Sequence, residues 1–199
     1  EAWSVLRKWW LAHERGANTP NWDIAASCEI DGGPGLILVE AKANVPELSV
    51  AGKPTDVGVS AASAENHQRI GVAIGEACAA LQRMSPSTAI SRDSHYQLSN
   101  RVAFAWKLAS AGVPPVLVYL GFWGDDGLAD VGAPFQSAAQ WEAVFTEYAR
   151  SVVPMEGDLQ FDIQRRAGDI LQRRVHEAIE RLGEVGRGDR GVVGDRGQR

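Results

Sequence analysis

The sequence predicts a mixed α/β domain, a small central sheet flanked by helices. Three observations lead there. Several stretches place apolar residues three and four apart, the period of a helix with one buried face. Two strand-like runs adjoin the Asp31-Gly32 pair, a strong hairpin signal. A third apolar run, Pro114 to Phe122, stands between helical stretches. The order is therefore helix, hairpin, helices, strand, helices, which suits a sheet covered by helices.

The elements follow in turn. Trp3 to Arg15 reads as a helix with Trp3, Leu6 and Trp10 on one face, stopped by Gly16. Trp22 to Ile30 and Leu36 to Ala43 read as the two strands of the hairpin, and Asn44 to Ser63 as a long loop. Glu65 to Met84 is expected to be a helix with Ile70, Ala73, Ile74, Ala77, Cys78 and Leu81 inward. His95 to Ala111 is another, with Leu98, Val102, Ala105 and Ala109 inward and Gly112 closing it. After the Pro114 to Phe122 strand comes an acidic, Gly-rich loop from Gly124 to Pro134. Ser137 to Val152 is a helix with Trp141, Val144, Phe145 and Tyr148 inward, and Asp158 to Glu184 a last amphipathic helix. Gly186 to Arg199 lacks core residues and is expected to be a tail. One α/β domain over residues 1–155, a packed helix over 156–185 and a tail over 186–199 is the expected organisation.

A chain of 199 residues can bury a sizeable core in one domain. No apolar run approaches the ~20 residues that span a bilayer, and no secretory signal pattern opens the chain, so a cytoplasmic protein without membrane contact is expected. Cys28 and Cys78 stand in no metal-type spacing and are expected to be reduced, buried thiols. The formal net charge of −5 argues against a large non-specific nucleic-acid surface. It does not exclude an acidic site whose bound cations restore the local balance.

The segment that carries chemistry is Pro20 to Asn44. Residues two apart on a strand share a face, so Glu40 and Lys42 lie together on a strand that is otherwise nearly all apolar. Burying a carboxylate and an ammonium there is costly unless each finds partners. The hairpin supplies one candidate. A loop of two or four residues sets Asp23 on the face of Glu40 and Lys42; a symmetric five-residue loop sets it on the other. Two carboxylates and a lysine on one face suit metal-assisted hydrolysis of a phosphodiester. Mg²⁺ takes one or two carboxylates plus waters and substrate phosphate, and a lysine can orient water or meet the charge on the reacting phosphate.

Asp23 with Glu40-Ala41-Lys42 resembles the pattern of the PD-(D/E)XK nuclease superfamily, in which an acidic residue begins one strand and Glu-X-Lys sits in the next. Pro20-Asn21-Trp22-Asp23 is a loosened form of its Pro-Asp element, and Tyr96 to Phe122 is similar to its following helix and strand. The pattern's additional strand ahead of the acidic residue has almost no room between Arg15 and Pro20. The resemblance implies a restriction-endonuclease-like core and a Mg²⁺-dependent nuclease, with Mn²⁺ able to substitute and DNA as the expected substrate. It implies Asp23 and Glu40 as metal ligands, Lys42 beside the attacking water, Gln97 as a supporting catalytic residue and Glu14 as a further metal ligand. A homodimer or larger assembly is compatible with it.

Each feature has a plainer reading. Asp23, Glu40 and Lys42 can form a structural ion pair, in a non-catalytic module of the same fold that binds protein or nucleic acid. A metal-ready cluster of the three favours the enzyme; an inward Glu40 already locked by an arginine, with no cleft, favours the module. Gln97 and Arg101, four apart, can meet phosphate or simply pair. The four histidines, His13, His67, His95 and His176, read as ordinary residues, and Asp125 and Asp126 as solvated. Trp22 and Trp123 adjoin the site strands, where a base could stack on them, although core packing is the commoner role.

Overall fold

The computed structural model describes residues 2–30, 32–54, 58–124 and 132–154. The last helix and tail expected after Asp158, and Asp125 and Asp126, lie outside them. Among the described residues, four α-helices and three strands run in the order α1 (Ala2–Trp10), β1 (Ile24–Ile30), β2 (Gly33–Lys42), α2 (Ala61–Leu81), α3 (Tyr96–Ser110), β3 (Pro115–Gly121) and α4 (Ala138–Arg150). The result is a mixed α/β fold with one three-stranded sheet in the order β1-β2-β3.

β1 and β2 are antiparallel, with Ile30 opposite Gly33, so the hairpin loop is two residues long. Gly32 takes φ 77°, the left-handed conformation a two-residue hairpin loop demands and glycine adopts freely. β3 runs parallel to β2, with Leu36 opposite Pro115 and Lys42 opposite Gly121. Parallel neighbours need a crossover, and α2 and α3 form it. No strand stands between α1 and β1 among the described residues.

The helices differ from expectation at their ends and in their buried faces. α1 stops at Trp10 instead of Arg15, because Asn66 of α2 takes hold of the chain. The His13 amide donates to the Asn66 side-chain oxygen at 2.7 Å, and the Asn66 amide donates to the His13 carbonyl at 2.8 Å. α2 begins four residues earlier than expected, at Ala61, where the Ser60 hydroxyl accepts from the Ser63 amide. On α1, Trp9 is buried, as is Leu11 just past its end, while Trp3 is half exposed. On α3, Ala105 and Ala109 are not in the core; Ser99, Ala103, Phe104 and Leu108 are. Phe104 turns toward α1, where its ring meets Trp10 edge-on at 5.0 Å and Trp9 at 6.0 Å.

Glu76 of α2 joins the three helices, accepting from Trp9 Nε1 at 2.8 Å and from Lys107 Nζ at 3.0 Å. A second aromatic row fixes α4 to β3: Tyr119 meets Phe145 at 4.9 Å, Phe145 stacks on Trp141, and Trp141 meets Phe135 edge-on. Trp141 lies so close over Gly121 that a Cβ there would fall among its ring atoms. Cys28 and Cys78 are half-buried instead of buried, and the Cys78 thiol donates to the Thr88 carbonyl.

Candidate functional site

Strand register does most of the work of building the site. Residues directly opposed across a ladder share a face. Ile24 pairs with Val39, so the next position sets Asp23 across from Glu40; on the other side Glu40 pairs with Tyr119. Both Glu40 and Lys42 lie near the carboxyl end of β2, beside the carboxyl end of its parallel neighbour β3. Open sheets with parallel strands commonly hold ligands at that end. The face is covered over β3 by the Tyr119–Phe145 pair but bare over β1, where Asp23, Ala25, Ser27 and Glu29 are all exposed. An approach from the β1 side is therefore open.

Glu40 is 5% exposed and Lys42 7% exposed, so neither charge is solvated in the ordinary way. They compensate each other and recruit a third group. Lys42 Nζ donates to Glu40 Oε1 at 2.7 Å. Arg101, from α3, donates Nε and Nη2 to Glu40 Oε2 at 2.8 and 2.7 Å. The guanidinium is held in turn by Asn100 Oδ1 at 2.6 Å and by the Trp22 ring, whose centroid lies 4.9 Å away. One carboxylate thus stands between two cations, which leaves the cluster with one excess positive charge.

Asp23 is exposed, and β1 begins only after it. Its Oδ2 accepts from the Ala41 amide at 2.6 Å, taking the place that the next strand residue would fill. The side chain therefore ends the ladder as well as supplying a carboxylate beside Glu40.

Tyr119 is the member of the site that sequence reading missed. Its hydroxyl is buried with no hydrogen-bond partner, next to Glu40 in the register. Burial, and then the neighbouring Tyr148, push the phenol well above its usual range. Burial also pushes Tyr148 up to about 12. The signal was a tyrosine in the otherwise aliphatic run Pro115–Gly121, legible only with the parallel register in hand.

Glu14 is exposed beyond the end of α1 and pairs with Arg7 at 3.1 Å. Gln97 is exposed in the first turn of α3, one turn before Arg101. The described histidines are engaged locally: His13 with Glu65, and His95 with the Ser151 hydroxyl at 2.8 Å. A groove of about 520 Å³ between α2 and residues 90–93 is lined by none of the site residues.

Two register-opposed carboxylates match the donor count that Mg²⁺ takes when it keeps several waters. Among the described residues no three His, Cys, Asp or Glu side chains gather as a fuller metal group. Compared with protein-family models, curated proteins and solved structures, the chain matches none.

Proposed function

We propose that the strand-end cluster is the centre of a metal-dependent nuclease with a restriction-endonuclease-like core, acting on phosphodiester bonds, with DNA as the first substrate to test. The observation that carries this reading is the buried Glu40–Lys42 pair on an apolar strand with Asp23 set opposite it. Asp23 and Glu40 would hold Mg²⁺, which supplies Lewis acidity toward the phosphoryl oxygens and a more acidic bound water. Lys42, bonded to Glu40, sits where an ammonium can orient the attacking water and meet charge that grows on the phosphorus oxygens. Arg101 offers a planar fork suited to phosphate, and the Trp22 ring and Asn100 keep that fork in place. Glu14 and Gln97 have no support from their positions as members of this machinery.

A second reading has its own observation. Both oxygens of Glu40 already accept from cations, and Asp23 already accepts from Ala41. That saturation suits a binding module whose ion cluster is structural. Cleavage of labelled single-stranded and duplex DNA with Mg²⁺ and Mn²⁺, beside Glu40→Ala and Lys42→Ala, separates the two. Metal-dependent cutting lost in both variants supports the nuclease. No cutting with any metal, together with no metal uptake by calorimetry, leaves the module.

A further inference from the structure

The Tyr119 hydroxyl is buried and has no hydrogen-bond partner among the described residues, a costly arrangement. A phenylalanine would pack the same ring against Phe145, 4.9 Å away, without that cost. Tyr119 stands next to Glu40 across the parallel ladder, so both side chains leave the same face of the sheet. Burial first, and then Tyr148, keep the phenol protonated at neutral pH, while Arg101 and Glu40 lie near enough for their charges to act on it. The hydroxyl of Tyr148, which also feels Glu40, is engaged by the backbone at Leu98. An uncommitted donor thus stands beside the buried carboxylate.

A carboxylate offers about four lone-pair sites, and on Glu40 Lys42 Nζ, Arg101 Nε and Arg101 Nη2 already donate. The two cations are not held alike. The Arg101 fork is fixed by Asn100 Oδ1 at 2.6 Å and by the Trp22 ring. Lys42 meets Glu40 through a compact ammonium on a flexible stem. Lys42 is therefore the partner that can leave. We propose that Tyr119 is a positioning residue that changes places with Lys42: when the ammonium leaves Glu40, the Tyr119 hydroxyl donates to the carboxylate and keeps it oriented. This rests on the metal-site reading, which calls on Glu40 to bind a divalent cation and on Lys42 to turn to water. Metal-binding carboxylates are themselves held by hydrogen bonds of this kind. The hydroxyl is then idle in the metal-free cluster and bonded in the loaded one.

The test combines urea unfolding in EDTA with calorimetric titration of Mn²⁺. In EDTA, Tyr119→Phe is expected to show a urea midpoint equal to or above that of the wild type, because it removes an unpaired buried group. In a Lys42→Met background, where the ammonium is already gone, the same change is expected to lower the midpoint. Mn²⁺ binding is expected to weaken roughly 10- to 100-fold in Tyr119→Phe, the effect of removing a metal ligand's outer partner. A lower midpoint for Tyr119→Phe in the wild-type background would overturn the inference, since the hydroxyl would then already be bonded. An unchanged midpoint in the Lys42→Met background would overturn it too. So would Mn²⁺ uptake that Glu40→Ala abolishes and Tyr119→Phe leaves intact; that result would keep the metal site and remove Tyr119 from it. No Mn²⁺ uptake by the wild type, with the midpoint loss still confined to the Lys42→Met background, would sink the nuclease and sustain the exchange of donors.

Discussion

Glu40 loses half of its compensation when either cation is removed. Arg101→Ala leaves a buried carboxylate oxygen without its partner and is expected to cost about 3–5 kcal/mol, read as a lower urea midpoint. The concerted change Glu40→Leu, Lys42→Met, Arg101→Met removes every desolvation penalty at once. It is expected to be neutral or stabilising by up to ~4 kcal/mol while abolishing any cleavage. A triple variant that instead unfolds would make the cluster a structural necessity. Glu40 and Lys42 were legible in the sequence because charge interrupts an apolar strand; Asp23 was legible only conditionally, because its face turns on a loop length that the observed register decides. Arg101 was legible only as a candidate beside Gln97 and Tyr119 not at all, since their meeting with Glu40 depends on how a helix face and a parallel strand return to β2 from far along the chain. Glu14 and Gln97 entered by likeness to a pattern; Gln97 has in addition its place one turn before Arg101.

Packing between elements gives sharper expectations than the elements alone. Gly121→Ala drives a methyl into Trp141, which Phe135 and Phe145 hold from both sides. The expected loss is about 1–3 kcal/mol, with α4 the first element to lose amide protection in hydrogen exchange. The helix junctions also set the response to acid. The Trp9 and Lys107 hydrogen bonds hold the Glu76 carboxyl below its usual range. Its contribution is present above the unfolded carboxylate value of roughly 4.3 and is lost as pH falls through the lower folded value. His95 is also held low, by burial, so the unfolded chain takes up its proton first. Its contribution is complete above roughly pH 6.5 and declines as pH falls toward the folded value. His95→Asn keeps a residue that tolerates the φ of 47° and removes this titration. The melting temperature of that variant is expected to fall less than the wild type's between neutral pH and pH 5. The strands and helices themselves were visible as periodicity, while their ends were set by partners distant in sequence. Asn66 closing the path after α1 is the clearest case, because nothing within residues 11–15 announces it.

For the molecule as a whole, the balance of charge predicts a weak response to salt. Under the phosphodiester reading any bound nucleic acid releases few counterions, so log affinity is expected to fall with log salt no more steeply than a slope of about −1.4, the value for two single-strand phosphate contacts at ~0.7 each. A slope several times steeper would point to a broad basic surface that the net charge of −5 does not suggest. The mixed α/β class was legible from the order of apolar periods and the β1–β2 pair from its turn, but the place of β3 beside β2 was not, because parallel pairing leaves no local mark in either strand. That pairing also orders events during folding. The β1–β2 hairpin closes through two residues and can form within microseconds, whereas β3 must return to β2 across the whole stretch that carries α2 and α3. Asp23 and Glu40 are therefore brought face to face early, on a ribbon with a bare side. Tyr119 arrives only with the late, long-range step, and α4 follows it in the chain. A nascent chain halted before Val113 would hold the carboxylates but not the wall behind them, so chemistry at this site waits on the slowest contact in the domain.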